Sequence, residues 1–473
     1  KGHQSGDGQI SVTFSRHRPL SGDSLSKQVI PILDFLIIFR RFLFTLLALA
    51  GLFGTLASAR EQSPSFEGKP ISNVIIVGNE RTREPVILRE MKTRVGDAYQ
   101  AARVESDRKR IQNLSLFNRV EIIPAAAPND SVTLVIMVTE RWYFFPYPLL
   151  FRNERSWNKW SYGVGIMHNN VAGWNQKLLA EGWFGYNPGG MFVYSNPWFG
   201  GRRHYYSKFQ LSATTLRSKS LELSPFNERY RSVSYAFGKQ WGYHTFGTLA
   251  VDYTQIRYPE IYRNLLPSAD VEQHLPSFGA GFRYDRRDLY AYPRSGWYVT
   301  AYATQYYYPA QLNYLLYGLD CRSYIKLTEA ASLALRLAFD LSAGKVPLFA
   351  RRYFGYTERV RGHFYDRREG DNRALFSAEL RFPILPVRYL DLSGGGIDLG
   401  KYQRDLPFGI SGGFFVDAGD AWFNETAISR NNRIAGYGAG LHFHLPYIEL
   451  LRVEYAFDFH GHPQWIFDLQ AAF

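Results

Sequence analysis

The chain holds one cysteine, Cys321, in 473 residues. It cannot form an intramolecular disulfide or a cysteine-based metal cluster, and Cys321 reads as a packing residue on a strand. Methionine is also scarce, with four in the chain and the first at Met91. Long apolar runs are missing: after residue 59 no stretch approaches the ~18 residues that a membrane-spanning helix needs. A mean hydropathy of −0.26 agrees, and it excludes a helical membrane protein. Gly-x-Ser-x-Gly, His-Glu-x-x-His and phosphate-loop motifs are absent too, so no hydrolase, zinc-protease or nucleotide chemistry is indicated. His460 and His462 fall in an expected loop without a third ligand, while His442 and His444 share a strand face as interface or lumen residues. The expectation is a protein that is not an enzyme and uses no metal or cofactor.

Aromatic residues, by contrast, are abundant at 16%. Many aromatics with modest hydropathy are what a transmembrane β-barrel produces, because lipid-facing and lumen-facing residues alternate and aromatic girdles mark both interfaces. Composition alone leaves a large soluble β-sandwich or propeller open. The formal charge is +13. Lys and Arg are scattered rather than clustered, which fits contact with anionic lipid better than nucleic acid.

Residues 1–59 read as an upstream segment and a signal peptide. Arg40 and Arg41 precede the apolar stretch Phe42 to Leu56, which ends in Ala57-Ser58-Ala59. A basic start, a short apolar middle and a small-residue site are the marks of secretion, with cleavage after Ala59. Residues 1–39 are given no structural role. Export without a helical anchor leaves the periplasm, the outer membrane or the exterior.

Residues 70–142 read as a small α+β domain in the order β-α-α-β-β. Val74 to Val77 form a strand ending at Gly78-Asn79, and Glu84 to Met91 a short helix that Gly96-Asp97 breaks. A second helix from about Ala101 to Leu114 aligns Val104, Arg108, Ile111 and Leu114. Two strands follow, Phe117 to Ile123 and Ser131 to Val138, joined by Pro128-Asn129-Asp130. This order resembles a POTRA domain, and so do its markers Val77-Gly78-Asn79, Gly96-Asp97, Leu116-Phe117 and Val138-Thr139-Glu140. The resemblance implies binding of extended polypeptide at a sheet edge.

From residue 143 to 473, period-2 alternation predicts a 16-stranded antiparallel transmembrane barrel, so the fold class is membrane all-β. Ala374, Phe376, Ala378, Leu380 and Phe382 oppose Arg373, Ser377, Glu379 and Arg381. Phe414, Val416 and Ala418 oppose Gly413 and Asp417. Leu451, Val453, Tyr455 and Phe457 oppose Arg452, Glu454 and Asp458. Charge on one face is tolerable only if that face lines water. Tyr143 to Phe151, interrupted by Pro146 and Pro148, is a poor first strand suited to a weak seam. Counting from it, the long segment 344–372 follows the eleventh strand and should be extracellular. The turn from Asp285 to Gly296 follows the eighth and should be periplasmic. At the C-terminus Trp465, Phe467, Leu469 and Phe473 alternate, which resembles the terminal signal of outer-membrane barrels.

Several ordered motifs carry a wider resemblance. They are Asn196-Pro197-Trp198-Phe199; the turn residues Asp285, Arg287, Asp288, Pro293 and Gly296; Val360-Arg361-Gly362; Glu379-Leu380-Arg381-Phe382-Pro383; and Phe415-Val416-Asp417-Ala418-Gly419. Together they are similar to the bacterial surface-antigen barrels of the BamA/TamA superfamily. The resemblance implies that the loop bearing Val360, Arg361 and Gly362 folds into the lumen, where Arg361 pairs with Asp417 and with Glu379. It departs from the family pattern at His363, which stands where an aromatic usually follows Arg-Gly, with Phe364 next. The function implied is insertion or translocation of polypeptides at the outer membrane through a weak join between first and last strands. A passive porin or ligand channel and a lipid-handling or structural barrel are the alternatives. The partners expected are unfolded outer-membrane or secreted polypeptides, outer-membrane lipids and periplasmic accessory proteins, with no nucleic acid.

Overall fold

The computed structural model describes residues 66–469 apart from 154–158, 220–225, 266–269, 308–312, 357, 392–399, 425–432 and 448–449. The signal-like stretch and Phe473 lie outside the described residues.

The small domain comprises β1 (Ile71–Val77), α1 (Glu84–Leu88), α2 (Ala101–Gln112), β2 (Phe117–Ala127) and β3 (Ser131–Glu140). The central strand β3 runs parallel to β1 and antiparallel to β2. Val132, Leu134 and Ile136, at alternate positions of β3, are buried against Val86, Ile87, Met91, Val104 and Ile111. Burying each such side chain contributes roughly 1.5–3 kcal/mol. Both helices are shorter than the apolar spacing implied, leaving Met91 and Leu114 beyond their ends. After α2 the chain turns through Ser115 at φ 57°. After α1, buried Asp107 accepts the Lys92 and Thr93 amides, both at 3.0 Å, and so satisfies backbone that the short helix leaves open.

The barrel begins with β4 (Phe144–Arg152), β5 (Trp160–Val171), β6 (Gln176–Gly185), β7 (Gly189–Phe199), β8 (Tyr205–Arg217) and β9 (Asn227–Trp241). It continues with β10 (Thr245–Arg257), β11 (Glu272–Asp285), β12 (Gly296–Tyr306), β13 (Tyr314–Lys326) and β14 (Ser332–Gly344). A long loop carries its own ribbon, β15 (Arg352–Phe354) and β16 (Arg368–Gly370). The last five barrel strands are β17 (Asn372–Leu390), β18 (Leu406–Trp422), β19 (Ile434–His444), β20 (Leu451–Asp458) and β21 (Pro463–Leu469). Sixteen strands join in one antiparallel sheet in chain order, with β14 paired directly to β17. Val164, Phe184, Val251, Trp297, Trp465 and Phe467 are exposed on its outer face, as a lipid-facing surface requires. Among the described residues no helix is long and apolar enough to cross a membrane.

Strand β17 is longer than its alternation shows. Its pairing with β14 stops at Arg381, yet it runs on to Leu390 beside β18 with register shifts around Pro383 to Arg388. Pro383 and Pro386 lack ladder donors and disturb the period-2 pattern, so the sequence reading ended at Phe382.

The small domain seats against the turns at one rim of the barrel. Arg83 donates to the Ala172 carbonyl at 3.2 Å and stacks over Trp174, while Arg89 stacks over Trp198 at 4.4 Å. Tyr243 donates its hydroxyl to the Met91 carbonyl at 2.9 Å beneath Lys92 and Arg110. Across the mouth, Asp405 accepts from Arg119 at 2.9 Å and from Thr139 at 2.6 Å. Burial pushes the Asp405 carboxyl up, but the Thr139 hydroxyl and the Arg119 guanidinium outweigh it and hold the group below the ordinary carboxylate range. A depressed folded value means the contact's contribution is complete above the unfolded value of ~3.9 and is lost as pH falls through the folded one. Asp405→Asn should therefore loosen docking at neutral pH, with its difference from wild type vanishing in strong acid. Spin-label distances between domain and rim at both pH values check this; a difference independent of pH contradicts it.

Candidate functional site

The loop between β14 and β17 returns into the lumen and is held there by ion pairs to the barrel wall. Alternation on β17, β18 and β20 turns Glu379, Asp417 and Glu454 inward, and the three carboxylates converge on Arg361. Arg361 donates Nε and Nη2 to the two oxygens of Asp417 at 2.7 and 2.8 Å, a bidentate fork. Its backbone amide adds a third bond to Asp417 at 3.1 Å. Nη1 donates to Glu379 at 2.5 Å and to Glu454 at 2.9 Å. The guanidinium also lies 3.7 Å from the ring centroid of Phe415. Arg361 is 3% exposed and its three acceptors no more than 2%. Two further cations complete the network: Arg381 donates to Glu379 at 2.6 Å, and Arg452 donates to Glu454 at 3.0 Å. Three guanidiniums thus face three carboxylates.

The residues beside Arg361 explain why it stays in place. Val360 is fully buried with Phe354, Leu375, Ala421 and Ile434. Gly362 adopts φ +93°, and a Cβ there would overlap the Phe457 carbonyl oxygen. Facing it, a Cβ on Gly436 would overlap the Arg361 carbonyl oxygen. The backbones approach closely only because both positions lack side chains. Phe364 is buried with Phe415, Ala456 and Ile466, whereas His363 pairs with Asp366 at 2.7 Å.

The turn residues form a separate braced unit. Arg287 forks onto Asp285 at 2.9 and 2.7 Å, and Asp288 accepts the Arg294 and Ser295 amides. Gly296 takes φ +111° where a Cβ would meet the Arg286 carbonyl, and Pro293 lends its carbonyl to Arg381 at 3.4 Å. Trp465 and Phe467 point outward on β21, and Leu469 is that strand's final residue. Cys321 is half-buried on β13.

Glu379, His442 and Glu454 bring possible ligand atoms within 4.8 Å of one another. Their carboxylates are already engaged by Arg361, Arg381 and Arg452, so a divalent ion would have to displace guanidiniums. The cluster reads as an ion-pair network. Sequence reasoning placed Glu454 and Arg452 on the inward face but did not join them to Arg361. It read His442 as an interface or lumen histidine without its partners Tyr292 and Glu454, and it missed Tyr292 and the rim aromatics Trp174 and Tyr243, because nothing local marks a long-range partner.

Fold and site define a class: an antiparallel membrane barrel whose lumen holds a latched loop and whose periplasmic mouth carries a small α+β domain. The chain belongs to the Omp85 superfamily, whose domain model matches residues 170–465. The POTRA family, described as a surface antigen variable number repeat, matches residues 70–141. The curated outer membrane protein assembly factor BamA of Nitratidesulfovibrio vulgaris is 25% identical over 222 residues, 46% of this chain and 23% of that protein. The chain thus spans less than a quarter of that relative's length. Among solved structures, BamA from Haemophilus ducreyi lacking POTRA domains 1–3 matches with TM-score 0.50 and 17% identity over 85% of this chain and 83% of that one. CdiB from Escherichia coli matches with TM-score 0.50 and 9% identity over 96% and 98%. At these identities the structural likenesses bear on fold alone. The protein is an outer-membrane barrel with a periplasmic POTRA domain.

Proposed function

We propose that this chain inserts polypeptides into the outer membrane, or passes them across it, by opening the join between β4 and β21. One observation carries the reading. Among the described residues every barrel strand is laddered to two neighbours except β4 and β21, which stand at the two ends of the order. At the rim Phe145 on β4 packs against Tyr447 of the β19–β20 turn at 5.8 Å, so the first strand lies near the last strands without a ladder. Pro146 and Pro148 on β4 lack N–H groups, which weakens any ladder there. An unpaired backbone group in lipid costs several kcal/mol, so an unladdered edge favours taking up an incoming strand. The BamA relative is named as an assembly factor, which supports a polypeptide client. Unfolded outer-membrane or secreted chains, outer-membrane lipids and periplasmic accessory proteins are the partners of this reading. No bond is made or broken, and no cofactor is needed.

Cysteine pairs scanned between residues 145–151 and 463–469, in a Cys321→Ser background, test it. An oxidised lock should stop client assembly, seen by quantitative outer-membrane proteomics, and reduction should restore it. Normal assembly with the join fully locked would reject the proposal. The same proteomics on depleted cells separates a general insertase, with many barrels lost, from a dedicated transporter, with one.

A further inference from the structure

We propose that docking of the POTRA domain and latching of the lumen loop are coupled through the β11–β12 turn, with Asn113, Tyr292 and His442 as positioning residues. Asn113, the C-cap of α2, grips that turn twice. Its Oδ1 accepts the Tyr290 amide at 2.9 Å, and its Nδ2 donates to the Asp288 carbonyl at 3.1 Å. Lys109, one turn earlier on α2, stands 3.8 Å from the Asp288 carboxylate. From the gripped turn two routes lead inward to Arg361.

The first route runs through backbone and guanidinium. The Pro293 carbonyl accepts from Arg381, Arg381 donates to Glu379, and Glu379 accepts from Arg361. The second runs through Tyr292. Its hydroxyl lies 2.9 Å from His442 Nδ1, and its ring meets His442 and His444 edge-on while Arg381 stacks over it at 4.9 Å. His442 is 1% exposed. Its Nε2 has no hydrogen-bond partner among the described residues and sits 3.7 Å from the Glu454 oxygen that Arg361 also holds.

Arg381, Glu379, His442 and Glu454 are all essentially buried. A close-packed network of this kind cannot absorb a displaced turn gradually, so lifting α2 off the rim shifts both routes together. The consequence is directional. A client or accessory protein that pulls the POTRA domain from its seat loosens Arg361, and an unlatched loop lets the domain leave more readily, because coupling between two sites is reciprocal. This inference takes the latch to be a working part of the proposed function, but its test reads loop position rather than client assembly, so the two can fail separately.

The reporter is Val360→Cys in a Cys321→Ser background, labelled in intact cells by a membrane-impermeant maleimide. Val360 is fully buried when the loop is latched. Arg361→Ala should expose the reporter and sets the upper limit. Asn113→Ala and Tyr292→Phe, neither of which touches the loop among the described residues, should each raise the labelling rate by roughly threefold to thirtyfold. The double variant should label no faster than the faster single one, since both cut the same connection. Tyr292→Phe removes one oxygen only and keeps the readout meaningful if Asn113→Ala assembles poorly. Wild-type labelling in Tyr292→Phe, or effects that simply multiply in the double variant, would overturn the coupling.

Discussion

Arg361→Ala is expected to release the lumen loop and to destabilise the barrel by about 3–5 kcal/mol, the range for removing one partner of a buried ion pair. The size follows from what is left behind. Asp417 takes all three of its described hydrogen bonds from Arg361 and would keep none. Glu379 and Glu454 would retain Arg381 and Arg452, so three buried carboxylates would face two guanidiniums. Arg361→Lys should fall between the two, because an ammonium keeps the charge but cannot fork across Asp417 while reaching Glu379. Asp417→Asn in the Arg361→Ala background should recover part of the loss by removing the stranded charge. Denaturant midpoints of the purified barrel measure all four proteins. Wild-type stability in Arg361→Ala would mean that the loop is not held by its charges.

A second large effect is expected where backbones touch. Gly362→Ala places a Cβ against the Phe457 carbonyl and forces an L-residue into φ +93°. Positive φ costs about 1–3 kcal/mol, and the overlap adds about 1–3 kcal/mol because neither partner is a flexible side chain. Gly461→Ala, also at positive φ but with nothing within 4 Å, provides the comparison and should show only the conformational part. Equal losses at the two positions would show that close approach at Gly362 contributes nothing. The loop reporter at residue 360 should respond to Gly362→Ala and stay silent for Gly461→Ala.

Much of the architecture was legible in the residues. On β20 the alternation of Leu451, Val453 and Tyr455 with Arg452 and Glu454 needs no partner to be understood, since a charge on the lipid side would cost several kcal/mol. The same logic placed Glu379 and Asp417 on the inner wall. On β17 the rule failed beyond Phe382, where prolines break the period while β18 still supplies a partner strand. The helix ends also escaped, because Met91 and Leu114 sit at helical spacing on chain that has already left the helix.

The candidate site was legible to a different degree. The resemblance offered Arg361 with Asp417 and Glu379, but the third carboxylate, Glu454, lies 93 residues away in sequence from Arg361. Tyr292 and His442 are 150 residues apart and Asn113 and Tyr290 are 177 apart. No periodicity connects such pairs.

By itself, then, the chain's order of residues determined which segments are strands, which face of each meets lipid, and that its charged residues must share an interior. Those properties depend on neighbours two positions apart and on the solvent each face must meet, and both are written locally. The tertiary structure alone decided that Glu454, Arg381 and Arg452 join the Arg361 network, and where the POTRA domain seats. Those outcomes depend on how sixteen strands stack in register, which brings residues from distant segments within 3 Å of one another and carries no signature in any one of them.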